Sequence, residues 1–271
     1  MTSDAALRAA AHAAMILFSV LAIGPVLWML ITALKPENEI FSLRLIPSNP
    51  TLANFAYVLD TMPMLRILWN TTLMAAATAL AQVLTGLLAA YALVRWRFRG
   101  SALAHGLIAL SWLVPFQVVM IPNYVLATKL GLLNSLTGLV LPNAAAAFAV
   151  LVLYNAMRGF PREVVEAARM DGAGSLRILI EVIVPNLRAP LAALGILAFI
   201  SAWNDYFWPL LLIRRMEHSV VQIGLQFFLT EEGNQWGALM AAATLAALPV
   251  LAVYLILYRQ VIDSFMRAGI R

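Results

Sequence analysis

The residues with most to say about function stand together in Arg158-Gly-Phe-Pro-Arg-Glu-Val-Val-Glu-Ala-Ala-Arg-Met-Asp-Gly-Ala-Gly174. Read alone, Glu166 and Arg162, four residues apart, could simply pair on one solvated helix face. Chemistry of other kinds is missing from the chain. It has no cysteine, which removes disulfides, thiolate metal sites and a cysteine nucleophile. A phosphate-binding loop needs Gly-Lys followed by Ser or Thr, and the only lysines, Lys35 and Lys129, do not follow a glycine. His12 and His105 fall near the ends of apolar runs and read as bystanders. No His/Asp/Glu metal constellation and no triad spacing is present, so neither a catalytic residue nor a cofactor is expected.

The element that would carry these charges is short. Pro161 suits a first helical turn, Glu163 favours the positive end of the helix dipole, and Gly172 and Gly174 can stop the helix. A helix of about ten residues results. Charge lies on one face, and Val164, Val165, Ala167, Ala168 and Met170 supply a small apolar face. A helix lying on lipid usually shows Trp, Phe or Leu, so a groove on a partner protein fits this one better.

The surroundings are apolar. Of the 271 residues, 63% are hydrophobic and 11% charged, against about 25% charged in soluble domains. An all-α membrane protein is expected. The basic balance of +5 falls between apolar runs, where it orients the chain in a bilayer and does not suggest nucleic acid. Six runs satisfy the roughly 20 apolar residues a spanning helix needs: Ala9–Leu34, Ile67–Val94, Ala102–Thr128, Leu136–Met157, Leu187–Ile213 and Trp236–Tyr258. The first is too long for a signal peptide and reads as a retained span.

Of the 18 Lys and Arg, those at 8, 95, 97, 99, 158, 162, 169, 177, 188, 259, 267 and 271 fall on one side, and Lys35, Arg44, Arg66, Lys129, Arg214 and Arg215 on the other. The richer side is expected to be cytoplasmic, with both termini there. The loop at 158–185, between spans four and five, is then cytoplasmic too. Residues 1–66 read as a first span with a turn-rich outer segment, and 67–271 as the main five-helix domain. Pro115, Pro122, Pro142, Pro209 and Pro249 predict bent helices. Small residues four apart, Gly86/Ala90 and Gly237/Ala241, predict close helix packing.

Glu166-Ala-Ala, Gly172 and Val182-Ile-Val-Pro185, at these spacings, resemble the EAA loop of binding-protein-dependent ABC importer permeases. Val182 and Val184 stand where that family has Ile and Leu. Ser201–Leu210, Trp236–Ala241 and Arg259–Phe265 resemble its carbohydrate-type branch, the maltose and glycerol-3-phosphate permeases. The resemblance runs from about Ile67 to the end. It implies that the loop helix docks in a cytoplasmic ATPase through Arg162, Glu163, Glu166, Ala167, Ala168, Asp171 and Gly172. It also implies a second permease chain, two ATP-binding subunits and an extracytoplasmic solute-binding protein as partners in the bilayer.

Polar residues inside lipid usually face a cavity. Asn70, Gln117, Asn123, Trp203, Asn204 and Asp205 are the pathway candidates, with Gln82, Asn143, Trp112 and Trp208 behind them. An ion-coupled secondary carrier is the alternative. It would commonly bury carboxylates near the bilayer midplane, and spans two, three, four and six contain none.

Overall fold

The structure, a computed structural model, describes residues 2–96, 98–230 and 233–269, so Arg97 and Arg271 lie outside it. The described chain is almost wholly helical. It divides into two compact units, Met1–Leu65 with Gly224–Leu248, and Arg66–Ile223 with Pro249–Arg271.

Helix α1 (Thr2–Ala33) opens the first unit, and its most apolar 18-residue window is not buried at all. Such a surface suits lipid. The following segment is anchored by Lys35, which has no exposed surface. Its Nζ donates to Ser42 O at 2.8 Å and lies 5.0 Å from the Trp28 ring centroid. In α2 (Ala53–Thr61), Asn54 donates to the carbonyls of Ala33 and Lys35, both at 2.9 Å. A Cβ at position 237 would lie 2.5 Å from Asn54 Oδ1, which is why glycine stands there. Strands β1 (Leu229–Thr230) and β2 (Gly233–Asn234) pair antiparallel.

The second unit is built on α3 (Met64–Arg95). After it come α4 (Ser101–Ser111), α5 (Phe116–Lys129), α6 (Leu136–Val140), α7 (Ala147–Arg158) and α8 (Arg162–Met170). Next, α9 (Ser175–Arg177) runs through a π-helical stretch, Ile178–Ile183, into α10 (Val184–Asn186). Helices α11 (Arg188–Trp203), α12 (Phe207–Leu212), α13 (Val221–Gln226) and α14 (Trp236–Gly269) complete the chain.

Among the described residues, three uninterrupted segments are long and apolar enough to span a membrane: Ala6–Ala33, Met64–Arg95 and Trp236–Ile256. The other three expected spans are broken. Ser101–Ser111 and Phe116–Lys129 meet at 95°, Leu136–Asn143 and Ala147–Arg158 at 47°, and Ser175–Asn186 and Arg188–Trp203 at 81°. Counting each pair as one span gives six. The fifth span, expected over Leu187–Ile213 with a bend at Pro209, is corrected: its helix ends at Trp203, and its bent partner lies upstream of Leu187. The causes are local. Pro115 has no N–H to give and disfavours helical geometry at Val114. Pro185 and Pro190 flank Leu187, where the chain leaves helical geometry at φ −100°, ψ 13°.

Among the described residues, two apolar clusters hold this unit. Leu87, Ala90 and Tyr91 of α3 share one with Leu153 and Met157 of α7, and with Ile178, Ile183 and Leu194. Gly86 permits that approach, because a Cβ there would come 2.9 Å from the Ala149 Cβ. Met74, Ala127, Leu139, Trp208, Leu212 and Val220 form the second cluster. Trp208 is fully buried and donates from Nε1 to Gly138 O at 3.1 Å.

Polar side chains pin the segment before α13 to α3. Asn70 donates to the carbonyls of Glu217 and Ser219 at 3.0 and 3.1 Å. Buried Thr71 donates to Ile67 O at 2.7 Å and accepts from Val221 N at 2.9 Å. Thr71→Val keeps the shape but orphans the Val221 amide, so a loss of about 1–3 kcal/mol is expected. The thermal unfolding midpoint of the purified protein in detergent measures it. An unchanged midpoint would mean that the contact contributes nothing.

Candidate functional site

Helix α8 is delimited by its own sequence. Pro161, at φ −59° and ψ 127°, leads the chain in from outside helical geometry. At the other end Gly172 turns left-handed, at φ +79°. Gly172 N then reaches Arg169 O at 2.9 Å and Ala173 N reaches Ala168 O at 3.0 Å. This is the paired-bond C-terminal motif that glycine favours, because an L side chain disfavours that φ.

Val165, Ala168 and Ala173 pack against the first apolar cluster. The rest of the helix looks outward. Glu163, Glu166, Ala167 and Asp171 are exposed, and Met170 is 89% exposed. Among the described residues the one ion pair is Arg177–Glu181, at 2.7 Å. The Arg162–Glu166 pairing open to the sequence is therefore not formed. Both groups remain available to something else.

On the side facing α3 and α7, the helix borders a cleft of about 730 Å³. Arg95, Arg158, Arg162, Glu166 and Arg169 line it, with Tyr91 and Tyr154.

A second, smaller cavity of about 300 Å³ lies among the helices. Its polar lining is Thr78, Gln82, Asn143, Ser201 and Asp205, and Met74, Phe116 and Leu139 supply apolar wall. Gln82 donates to Asn143 O at 2.9 Å, which orients its amide across the break before α7.

Of the six pathway candidates, the structure brings only Asp205 to this cavity. Asn70 has its amide committed to the two carbonyls described above. Trp203 is 3% exposed and stacks on Phe199 at 5.7 Å. Asn204 is exposed, donates to Ile200 O at 2.8 Å and accepts from Gln222 at 3.3 Å. Gln117 is exposed and Asn123 half-buried, and neither lines the cavity. Trp208, a stacking candidate by type, is core. Thr78 and Ser201 were not singled out from the sequence, although each stands four residues before a polar partner, Gln82 and Asp205. That spacing puts Thr78 and Gln82 on one face of α3, whereas Asp205 lies just past the end of α11. Among the described residues no group of His, Asp and Glu could hold a metal.

Comparison with known proteins identifies the family. The family described as binding-protein-dependent transport system inner membrane component matches residues 82–267. The diacetylchitobiose uptake system permease protein of Streptomyces coelicolor is 30% identical, over 100% of this chain and 91% of its own. An sn-glycerol-3-phosphate transport system permease protein of Yersinia enterocolitica is 30% identical, over 92% of each. In structure, the chain resembles a component of a bacterial ABC transporter involved in the import of the acidic polysaccharide alginate. That likeness has a TM-score of 0.83 and 25% identity, covering 96% of this chain and 98% of the other.

Proposed function

We propose, from the premise that the chain belongs to the binding-protein-dependent transport system inner membrane component family, that α8 is the element through which it is driven. The chain is a multi-pass membrane protein and the permease subunit of an ABC importer, and nothing in its relatives points to an ion-coupled carrier. In the proposed arrangement a separate ATPase chain, present twice, receives α8 in a surface cleft. A second permease chain completes the pathway, and an extracytoplasmic solute-binding protein delivers a sugar or glycerol-phosphate-type solute. The side rich in Lys and Arg, with α8 and both termini, faces the cytoplasm.

The observation that carries this reading is the exposed, unpaired Glu166 on a helix with a defined start and stop. A carboxylate without a partner of its own is disposed to take a basic one. The docking face is Glu163, Glu166, Ala167, Met170 and Asp171, with Arg162 at its edge. Gly172 and the Ala168 contact fix the helix end. When the ATPase dimer closes on ATP, α8 moves with it. Its displacement passes through α9, the π-helical stretch and α10 to the bend at Leu187 and so to α11. The test is co-purification of the ATPase with this chain from a co-expressing strain. A chain that always purifies alone would remove the docking reading.

The 300 Å³ cavity supports a pathway role for Thr78, Gln82, Asn143, Ser201 and Asp205. These groups accept and donate, as sugar hydroxyls require. Gln82→Ala and Asp205→Asn are each expected to lower uptake about fivefold, from a net hydrogen-bond worth of about 1 kcal/mol. The ATPase should still co-purify. Solute-uptake assays in cells check this, and unchanged uptake in both variants would move the pathway elsewhere.

A further inference from the structure

The cleft beside α8 holds more positive charge than docking of α8 explains. Arg95 ends α3, Arg158 ends α7, and Arg162 and Arg169 lie two turns apart on α8. All four line one cleft of about 730 Å³, against a single carboxylate, Glu166. Among the described residues none of the four is in an ion pair. Arg158 lies 6.0 Å from the Tyr154 ring centroid. The Nε of Arg95 is shielded from solvent and has no hydrogen-bond partner among the described residues. Like charges gathered in one concavity repel, and a shielded donor without an acceptor is unfavourable. Both problems are relieved by one anion.

We infer that this cleft binds a phosphate group. Guanidinium forks match the tetrahedral oxygens of phosphate two at a time, and arginine in place of lysine is the residue for that geometry. The four arginines come from three helices, so they can surround a ligand instead of touching it from one side. The volume lies within the range of small-ligand pockets. Two exposed aromatic residues lie just beyond Arg95 in the chain: Trp96, packed edge-on against Tyr91 at 5.7 Å, and Phe98. Aromatic rings at the end of a spanning helix mark the headgroup level of a bilayer. An anionic phospholipid headgroup is therefore the source the surroundings favour, and free phosphate is the other. The inference differs from ATPase docking in turning on Arg95 and Arg158, which lie outside α8, while Arg162 and Glu166 of the docking helix border the same cleft.

The test uses the complete transporter containing this chain, purified in detergent and examined by native mass spectrometry for retained phospholipid. The wild type is expected to keep an anionic phospholipid, and the double variant R95Q/R158Q to retain about tenfold less. R177Q, which alters the arginine paired with Glu181 outside the cleft, should retain as much as wild type. R95K keeps the charge but loses the fork, and should fall between; it also serves if the double variant fails to assemble. A second arm adds inorganic phosphate to delipidated transporter. Stabilisation by phosphate in wild type but not in R95Q/R158Q, without retained lipid, supports the same site with free phosphate as its source. Equal lipid retention in wild type and variants, with no effect of phosphate, overturns the inference. Loss of the ATPase subunits with lipid retention unchanged also overturns it, and would assign the arginines to the ATPase interface.

Discussion

Replacing Glu166 with lysine is expected to abolish ATP-driven uptake while leaving the membrane helices folded. The side chain is exposed and pairs with nothing among the described residues, so its loss removes no hydrogen bond or ion pair there. Reversal places a cation where the proposed partner presents one. Breaking a desolvated charge pair across an interface costs about 2–5 kcal/mol, which is an affinity loss on the order of 30-fold or more. The expected pattern is a purified chain with an unchanged unfolding midpoint, no co-purifying ATPase and no uptake. Restoration by a compensating acidic substitution in the ATPase would identify the pair. Normal uptake by the E166K transporter would mean that α8 does not receive the ATPase through this carboxylate.

Trp208→Ala should act in the opposite sense, through the fold. Trp208 is fully buried, meets Phe116 edge-on at 6.2 Å, and donates to Gly138 O at 3.1 Å. Gly138 is tightly enclosed as well: a Cβ there would strike the Leu132 carbonyl and come 2.9 Å from Leu212 Cδ2. Neighbours packed this closely cannot easily collapse into the space an indole leaves. Lipid supplies little hydrophobic drive between helices, so close packing carries much of the stability. A loss of about 3–5 kcal/mol is expected, seen as a lower unfolding midpoint and poor recovery of the protein. Trp208→Phe keeps most of the ring but leaves the Gly138 carbonyl unpaired, and should lose only about 1–3 kcal/mol. If Trp208→Ala unfolded normally and changed only the response to solute, the side chain would belong to the pathway.

The two residues illustrate what a sequence can and cannot disclose. The limits of α8 are set by near-neighbour rules, a proline that starts it and a glycine that ends it, so Pro161 and Gly172 mark them in advance. Membrane spans are equally legible, since their length and apolar character follow from bilayer thickness. The break before Phe116 is announced by Pro115. The 81° bend at Leu187 is not, because a leucine has no preference for such a conformation and the flanking prolines fix only its neighbourhood. Which way a polar or aromatic residue faces is decided by packing between distant segments. Asn70 is therefore taken up by carbonyls nearly 150 positions away, and Trp203 and Trp208 by core. Thr78 could have been found by its helical spacing to Gln82, whereas Ser201 and Asp205 are brought to the cavity across the end of α11. The weakness of Thr78 and Ser201 as individual signals hid them.

The six residues Ile178–Ile183 wind wider than an α-helix. A stretch of this kind accommodates a residue more than the regular ladder would, and it stands between the end of α8 and the start of α11. Each residue added to or removed from a regular helix turns everything beyond it by about 100° and shifts it about 1.5 Å. The wide turn therefore fixes the phase between the two ends of this connection. It specifies an angle through the number of residues, largely independent of which apolar residues fill it. Among related chains, substitutions at these positions are then compatible with one mechanism, while a one-residue gap would point the α8 face in another direction altogether.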